Sequence, residues 1–448
     1  MSKTGCLDCS QMSRRYFVKA GSLSLLGIHV SQYLRLQSLV ALTGKGTPAS
    51  RAKAQACILL WLEGGPSHLD TWDPKGNSSF KPISTNVAGI QISELLPRMA
   101  KHMDKLSIVR SMHTEEIDHP EATHYAITGH RPNAAMQFPS LGSIVSKELG
   151  PRNALPPYII QPQWDSGTKM YQNYFNAAFL GPQHNPMAIP DPSKQDFAVP
   201  DLSLPKSFGI ERIQERRSLL KFVDAAYRQK QEIAEFSNLD TFTEQAFNLI
   251  QSPAVRKAFD ISEEPDKLRE AYGKHSFGQS VLMARRLVEQ GCRFVTAAGY
   301  DYNAWDSCHS KNDSYNRDKL VPPFDQALSA LLEDLTQRGL LESTIVIAMG
   351  EFGRTPHINP ALGRDHWPNC WSLVVGGGGI KGGVVVGASD ERGAYPAART
   401  TTMGDVFATL YKALGVDWEK TYMTPIGRPI KIANSIDDKT GTPIAELI

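Results

Sequence analysis

Acids and histidines recur in this chain just where apolar runs stop. The run Ile345-Val346-Ile347-Ala348-Met349 ends on Gly350 and Glu351, with Arg354, Asp365 and His366 close behind. The run Phe294-Val295-Thr296-Ala297 precedes Trp305-Asp306-Ser307-Cys308-His309. A third, Cys57-Ile58-Leu59-Leu60-Trp61-Leu62, leads into Glu63-Gly64-Gly65-Pro66-Ser67-His68-Leu69-Asp70, with Asp73 beyond. Carboxylates and neutral imidazoles are the ligands of zinc, manganese and iron, and a metal site draws several of them from different loops. Taken singly, each acid is explained at least as well by a helix cap or a surface ion pair. Their recurrence at three run ends is what points to a metal.

A fourth segment, Ser111 to Gly129, carries His113, His119, Thr123 and His124; with His102 and His130 it holds five of the chain's 12 histidines. Histidine can act as nucleophile or general acid/base, and a threonine hydroxyl as nucleophile. Solvated loop imidazoles are the plain alternative. Arg354 offers a planar fork for an anion, an ordinary salt bridge being the alternative.

These residues need a frame. A strand covered on both faces reads as an unbroken apolar run, and open α/β sheets bind ligands beyond the carboxyl ends of their strands. Such runs place strands near residues 57–62, 106–109, 158–160, 293–297, 344–349 and 372–375. Helical patterns fall at 140–149, 281–289 and 405–414, and along Phe324, Leu328, Leu331 and Leu335. The alternation implies an α/β fold, a mostly parallel sheet with helices on both faces. A Pro-rich stretch from Pro151 to Pro205 reads as a surface loop or cap, and 210–259 as charged helix, so an insertion is expected over about 160–270. Gly376 to Gly382 formally contains a dinucleotide-type glycine pattern. Gly383-Val384-Val385-Val386 follows it as strand and not helix, so it is read as a turn.

Of 448 residues, 48 are Lys or Arg and 46 Asp or Glu, a net charge of +2. That balance, without a basic stripe interleaved with aromatics, gives no reason to expect a nucleic-acid partner. Ser13-Arg14-Arg15-Tyr16-Phe17-Val18-Lys19 has the form of a twin-arginine export signal, an amphipathic first helix being the alternative. The apolar stretch after it, Ala20 to Val30, is too short for a good membrane span. The expected layout is a leader and linker over 1–56, one domain over 57–435 and a tail over 436–448, in a protein exported to the periplasm or beyond. Cys6 and Cys9 fall in the leader. Cys308 and Cys370 flank the two halves of the expected site, where a disulfide, two buried thiols or a thiolate ligand are all open.

In combination, the leader and the strings EGGPSHLDTWDPK, WDSCH, GEFGRTP, GRDHW and VVGGGGIKGG resemble the family called domain of unknown function 1501. That family is similar in turn to the alkaline phosphatase-like, or sulfatase-like, superfamily of metal-dependent hydrolases. The resemblance implies a divalent metal, zinc, manganese or another, held at successive strand ends. Asp306 and His309 fall where the superfamily has an Asp and a His from one loop. Glu351 takes the place of a further Asp, with Phe352 where a His follows it. His366 falls on the last His ligand with Asp365 beside it, and Glu63 on a first-strand ligand with Asp70 or Asp73 as alternatives. His119 lies about where the nucleophile belongs and Thr123 is the nearby hydroxyl, while Arg354 and His68 are expected to bind substrate. The implied substrate is a phosphate or sulfate ester, small molecule or glycan, and the implied partner the twin-arginine machinery. A non-catalytic envelope protein on the same fold is the rival reading.

Overall fold

Six residues without a polar interruption, Ala56–Trp61, form β1 near the middle of an eight-stranded sheet. The remaining strands are β2 (Leu106–Met112), β3 (Tyr158–Gln161), β4 (Met187–Ala188), β5 (Phe294–Ala297), β6 (Thr344–Met349), β7 (Trp371–Gly377) and β8 (Val385–Val386). They lie in the order β8-β2-β7-β6-β1-β5-β3-β4. The computed structural model describes residues 52–163, 173–199, 249–301 and 304–448, with a few positions between 215 and 247. The leader with its twin arginines and much of the expected insertion lie outside the described residues.

Within the sheet β1 pairs in parallel with β5 and β6, β3 with β4 and β5, and β8 with β2. Only β7 runs the other way, antiparallel to both β2 and β6. The carboxyl ends of β1, β2, β5 and β6 therefore share one edge, and β7 brings its beginning to that same edge: Trp371 faces Met112.

Successive strand residues point to opposite faces, so each strand feeds two cores. Ile58, Leu60 and Leu62 pack on one side with Val281 and Leu282 of α3 (Ser276–Glu289) and Phe324 and Leu328 of α4 (Val321–Gln337). Cys57, Leu59 and Trp61 pack on the other with α1 (His119–Thr128), α2 (Leu141–Leu149) and α5 (Met403–Leu414), through Tyr125, Ile144 and Phe407. Each such side chain contributes about 1.5–3 kcal/mol by leaving water. Ile444 and Leu447 are buried in this second core.

The thiols of Cys308 and Cys370 are buried and unbridged. Cys308 Sγ faces Asn316 Oδ1 at 3.5 Å, whereas Cys370 Sγ faces the Arg110 carbonyl at 3.5 Å. Burial pushes both up to about 12, which disfavours the thiolate a metal would need. Of the three alternatives, buried thiols are what forms.

Candidate metal centre

Gly64 lies just past the end of β1 with φ +109, and a Cβ there would come within 2.4 Å of the Asp306 amide nitrogen. Glycine thus lets the β1 end and the Asp306 loop touch. The Gly64 N–H donates to both oxygens of Glu351, at 3.0 and 3.2 Å. Arg354, from the loop after β6, donates to the carbonyls of Gly64 and Gly65 and to Asp306 Oδ1, the last over 2.9 Å. A two-residue antiparallel ladder sets Arg354 opposite His366.

His119 is the first residue of α1, reached from β2. Its Nδ1 donates to Glu351 Oε1 over 2.6 Å, and its Nε2 lies 3.2 Å from Asp306 Oδ1 without an aligned hydrogen bond. The Nδ1 of His366 donates to the Ile117 carbonyl over 2.7 Å, and its Nε2 lies 3.0 Å from the same Asp306 oxygen. A carbonyl can only accept, so Nδ1 of His366 carries a proton. In a neutral ring Nε2 is then a lone pair. The same reasoning applies to His119 above the Glu351 carboxylate.

Two lone pairs and a carboxylate oxygen facing one another need a cation among them. The ligand atoms of His119, Asp306 and His366 all lie within 4.8 Å of one another. Without a metal, protons must serve. Burial pulls His119 down, but Asp306 and Glu351 outweigh it and push the ring up to about 9. Burial likewise opposes Asp306, yet the nearby imidazoles of His119 and His366 and the Arg354 guanidinium hold its carboxyl far below the usual range. Two imidazoles and one carboxylate fit a three-ligand divalent site that keeps open positions. Glu351 and the Ile117 carbonyl then hold the rings from outside, as such partners do in metal sites. Phe352 stacks on His366 with centroids 4.5 Å apart and lies 5.0 Å from His119, walling both rings with carbon.

The other expected site residues are placed differently. Glu351 is fully buried and reaches the group only through His119. His309 and Asp365 are half exposed and face each other at 3.4 Å, with Asn359 also on Asp365. Asp70 is fully buried against Arg364 at 3.0 Å and takes further bonds from Ser67, Ser78 and Asn312, which makes it a structural ion pair. Asp73 meets Ser389, Lys75 and Arg110, and Glu63 is buried. His68 is buried with Nε2 on the Gly393 carbonyl, and burial lowers its pKa. Thr123 is wholly buried in α1, where an incoming ester cannot reach its hydroxyl. Gly64 stands inside the string EGGPSHLDTWDPK but is not among the expected site residues, and the Ile117 carbonyl carries no motif of its own. The helix that presents His119 does have end signals, Pro120 in its first turn and Gly129 at its close.

The described residues form a three-layer α/β fold with a His-His-Asp group at the carboxyl edge of its sheet, placed so that it could hold a metal ion. The chain belongs to the family described as "Protein of unknown function (DUF1501)", whose model matches residues 54–448. No curated protein matches it. Among solved structures it is similar to a lipoteichoic acid synthase, LtaP, from Listeria monocytogenes: 10% identity over 88% of this chain and 76% of that one, TM-score 0.38. It is similar also to a protein in the alkaline phosphatase superfamily from Vibrio parahaemolyticus, at 13% identity over 82% and 68%, TM-score 0.40. A third is the C-terminal periplasmic domain of EcEptC from Escherichia coli, in complex with zinc, at 10% identity over 88% and 92%, TM-score 0.38. Among the described residues no helix is long and apolar enough to cross a membrane.

Proposed function

We propose that the chain is an exported, metal-dependent hydrolase of phosphate or sulfate esters, with His119, Asp306 and His366 as ligands of one divalent ion such as zinc or manganese. The observation that carries this reading is the commitment of both Nδ1 atoms to fixed acceptors, which leaves both Nε2 lone pairs on one carboxylate. Charge supports the substrate class. Asp306 and Glu351 against Arg354 leave one negative charge, and a divalent ion turns the centre positive. An anionic ester is then drawn in.

The ion's contribution would be Lewis-acid polarisation of a phosphoryl or sulfuryl oxygen. The protein's own residues prepare for it. Glu351 fixes the His119 tautomer, the Gly64 N–H fixes Glu351, and Arg354 donates to Asp306 Oδ1, the oxygen that faces both Nε2 atoms. With Nδ1 on Glu351 and Nε2 turned to the proposed metal, His119 would have no nitrogen left for attack, and the attack is assigned to water.

The test is elemental analysis of the purified mature protein together with hydrolysis of p-nitrophenyl phosphate and p-nitrophenyl sulfate. About one divalent metal per chain, and turnover abolished by chelation and by His366→Ala, are expected. A metal-free protein that resists loading would sink the reading. A second reading, ligand binding without turnover, is favoured by Phe352, whose ring closes one side of the group to further ligands. Stoichiometric metal with neither ester cleaved would select it. Export by the twin-arginine route is proposed for either, on Arg14-Arg15.

A further inference from the structure

Asp306 Oδ1 and His366 Nε2 lie 3.0 Å apart although 60 residues separate them, so two loops must be held together there. A short 3-10 helix, Ala304–His309, carries Asp306. His366 lies on a loop that leaves β6 and folds back against Gly353 and Arg354. These two segments touch along one seam. The Lys311 N–H donates to the Ala361 carbonyl over 3.1 Å, Asn312 N–H to Leu362 over 2.9 Å and Arg364 N–H to Cys308 over 2.8 Å. At Gly363 the approach is so close that a Cβ would run into the His309 carbonyl oxygen. Lys311 and Leu362, facing each other's loops, take left-handed φ values of 51 and 60 though neither is glycine. Such strain persists only where the surroundings over-determine it, and it gathers at functional sites.

Asn359 ties the seam with its side chain. Its Oδ1 accepts from the N–H groups of Ala361 and Gly363, at 2.9 Å each, and so closes the turn of its own loop. Its Nδ2 donates to the His309 carbonyl over 3.0 Å and to Asp365 Oδ1 over 2.8 Å. A backbone N–H only donates and a carbonyl only accepts, so these partners fix which way the amide faces. Two acceptor and two donor positions are all in use.

We infer that Asn359 is a positioning residue: it holds the end of the Asp306 helix against the loop carrying His366, and so sets the gap between those two ligands. The inference rests on the proposed metal centre, but Asn359 acts through the backbone and not on the ion. His119 is mounted separately, on Glu351 and through it on Gly64. The ligand group is thus assembled from two independently braced parts. Aspartate at position 359 would keep both turn-closing acceptors, lose both donors and add a negative charge beside Asp365. Added negative charge alone favours a cation, so charge predicts tighter metal binding by Asn359→Asp where positioning predicts weaker.

Titration of the chelated wild type, Asn359→Asp and Asn359→Ala with cobalt(II), whose visible absorption follows coordination geometry, tests this beside urea unfolding of the same proteins. Both variants should bind about 10- to 100-fold more weakly, as loss of an outer partner does, and their cobalt spectra should differ in shape from that of the wild type. Asn359→Asp keeps the turn closed, so it remains decisive if Asn359→Ala folds poorly. A merely structural asparagine would lower the urea midpoint and leave the affinity and spectrum of the folded protein unchanged, which overturns the inference. Binding by Asn359→Asp as tight as wild type, or tighter, overturns it as well while the metal centre stands. A wild type that takes up no cobalt brings down the metal centre and this inference together.

Discussion

Nδ1 of His119 is held 2.6 Å from Oε1 of Glu351, a carboxylate with no exposure to water. Glu351 is itself anchored by the Gly64 amide, which belongs to a different loop. The ring is therefore oriented before any metal arrives, and Nε2 is the only nitrogen it can offer.

Glu351→Gln keeps the shape but replaces one acceptor oxygen with an amide donor. It should lower metal affinity about 10- to 100-fold, as loss of such an outer partner does. Competition with a chromophoric chelator measures this, and wild-type affinity would remove Glu351 from the orienting role.

Asp306→Asn should reduce the metal content to near zero. It also strips a counter-charge from Arg354, which is fully buried, while Asp306 is 33% exposed and partly screened. The stability cost should accordingly be modest, about 1–2 kcal/mol in urea titration of the metal-free protein. A full complement of metal in this variant would contradict the assignment.

Asp70→Asn should behave in the opposite way. Asp70 and Arg364 both have no exposure, so removing one charge strands the other in the interior at a cost of about 3–5 kcal/mol. Metal bound per folded chain should stay unchanged; its loss would return Asp70 to the ligand set.

Two histidines give the metal-free protein a stability optimum in pH. His119 is raised from 6.5 to about 9, so its contribution is complete below about pH 6.5 and disappears as pH rises through 9. Burial lowers His130 from 6.5 to about 4, so its contribution is complete above about pH 6.5 and disappears as pH falls toward 4. Urea midpoints should peak near pH 6.5, and His119→Ala should remove the alkaline limb alone. A metal replaces the Nε2 proton, so loading should flatten that limb and should itself weaken in acid. An alkaline limb unchanged by either treatment would refute this account of His119.

Replacing Arg14 and Arg15 by Lys should retain the protein in the cytoplasm, because the paired guanidinium groups are the receptor-read address. Fractionation of cells expressing either form decides it, and unaltered export of the double variant would rule the route out.

The frame was largely legible because strands covered on both faces leave unbroken apolar runs; Ala56–Trp61 and Thr344–Met349 contain no exposed residue. What the runs could not convey is direction. The reversal of β7 brings His366 to the working edge, and no residue announces it. Adjacency was a poor guide as well. Asp365 and His366 are neighbours, but extended backbone sends successive side chains to opposite sides. His366 thus meets Asp306 while Asp365 meets Asn359 and His309. Asp70 looked like Asp306 on paper, since each follows an apolar run. The partner that separates them, Arg364, lies 294 residues from Asp70 and is brought to it only by the finished sheet.

β1 precedes the rest of the sheet in sequence yet lies between β5 and β6, with Cys57 opposite both Phe294 and Ile345. During synthesis it emerges with neither neighbour available. The chain must lengthen past Ala297 before one side can be paired and past Met349 before the other can. Pairing at such separation is slow, because a long loop must close before any contact rewards it. The ligand group obeys the same timetable, since its members run from His119 to His366. On the proposed function, metal capture must therefore wait for a chain synthesised past His366, and a ribosome-bound fragment that stops earlier lacks one of the three proposed ligands.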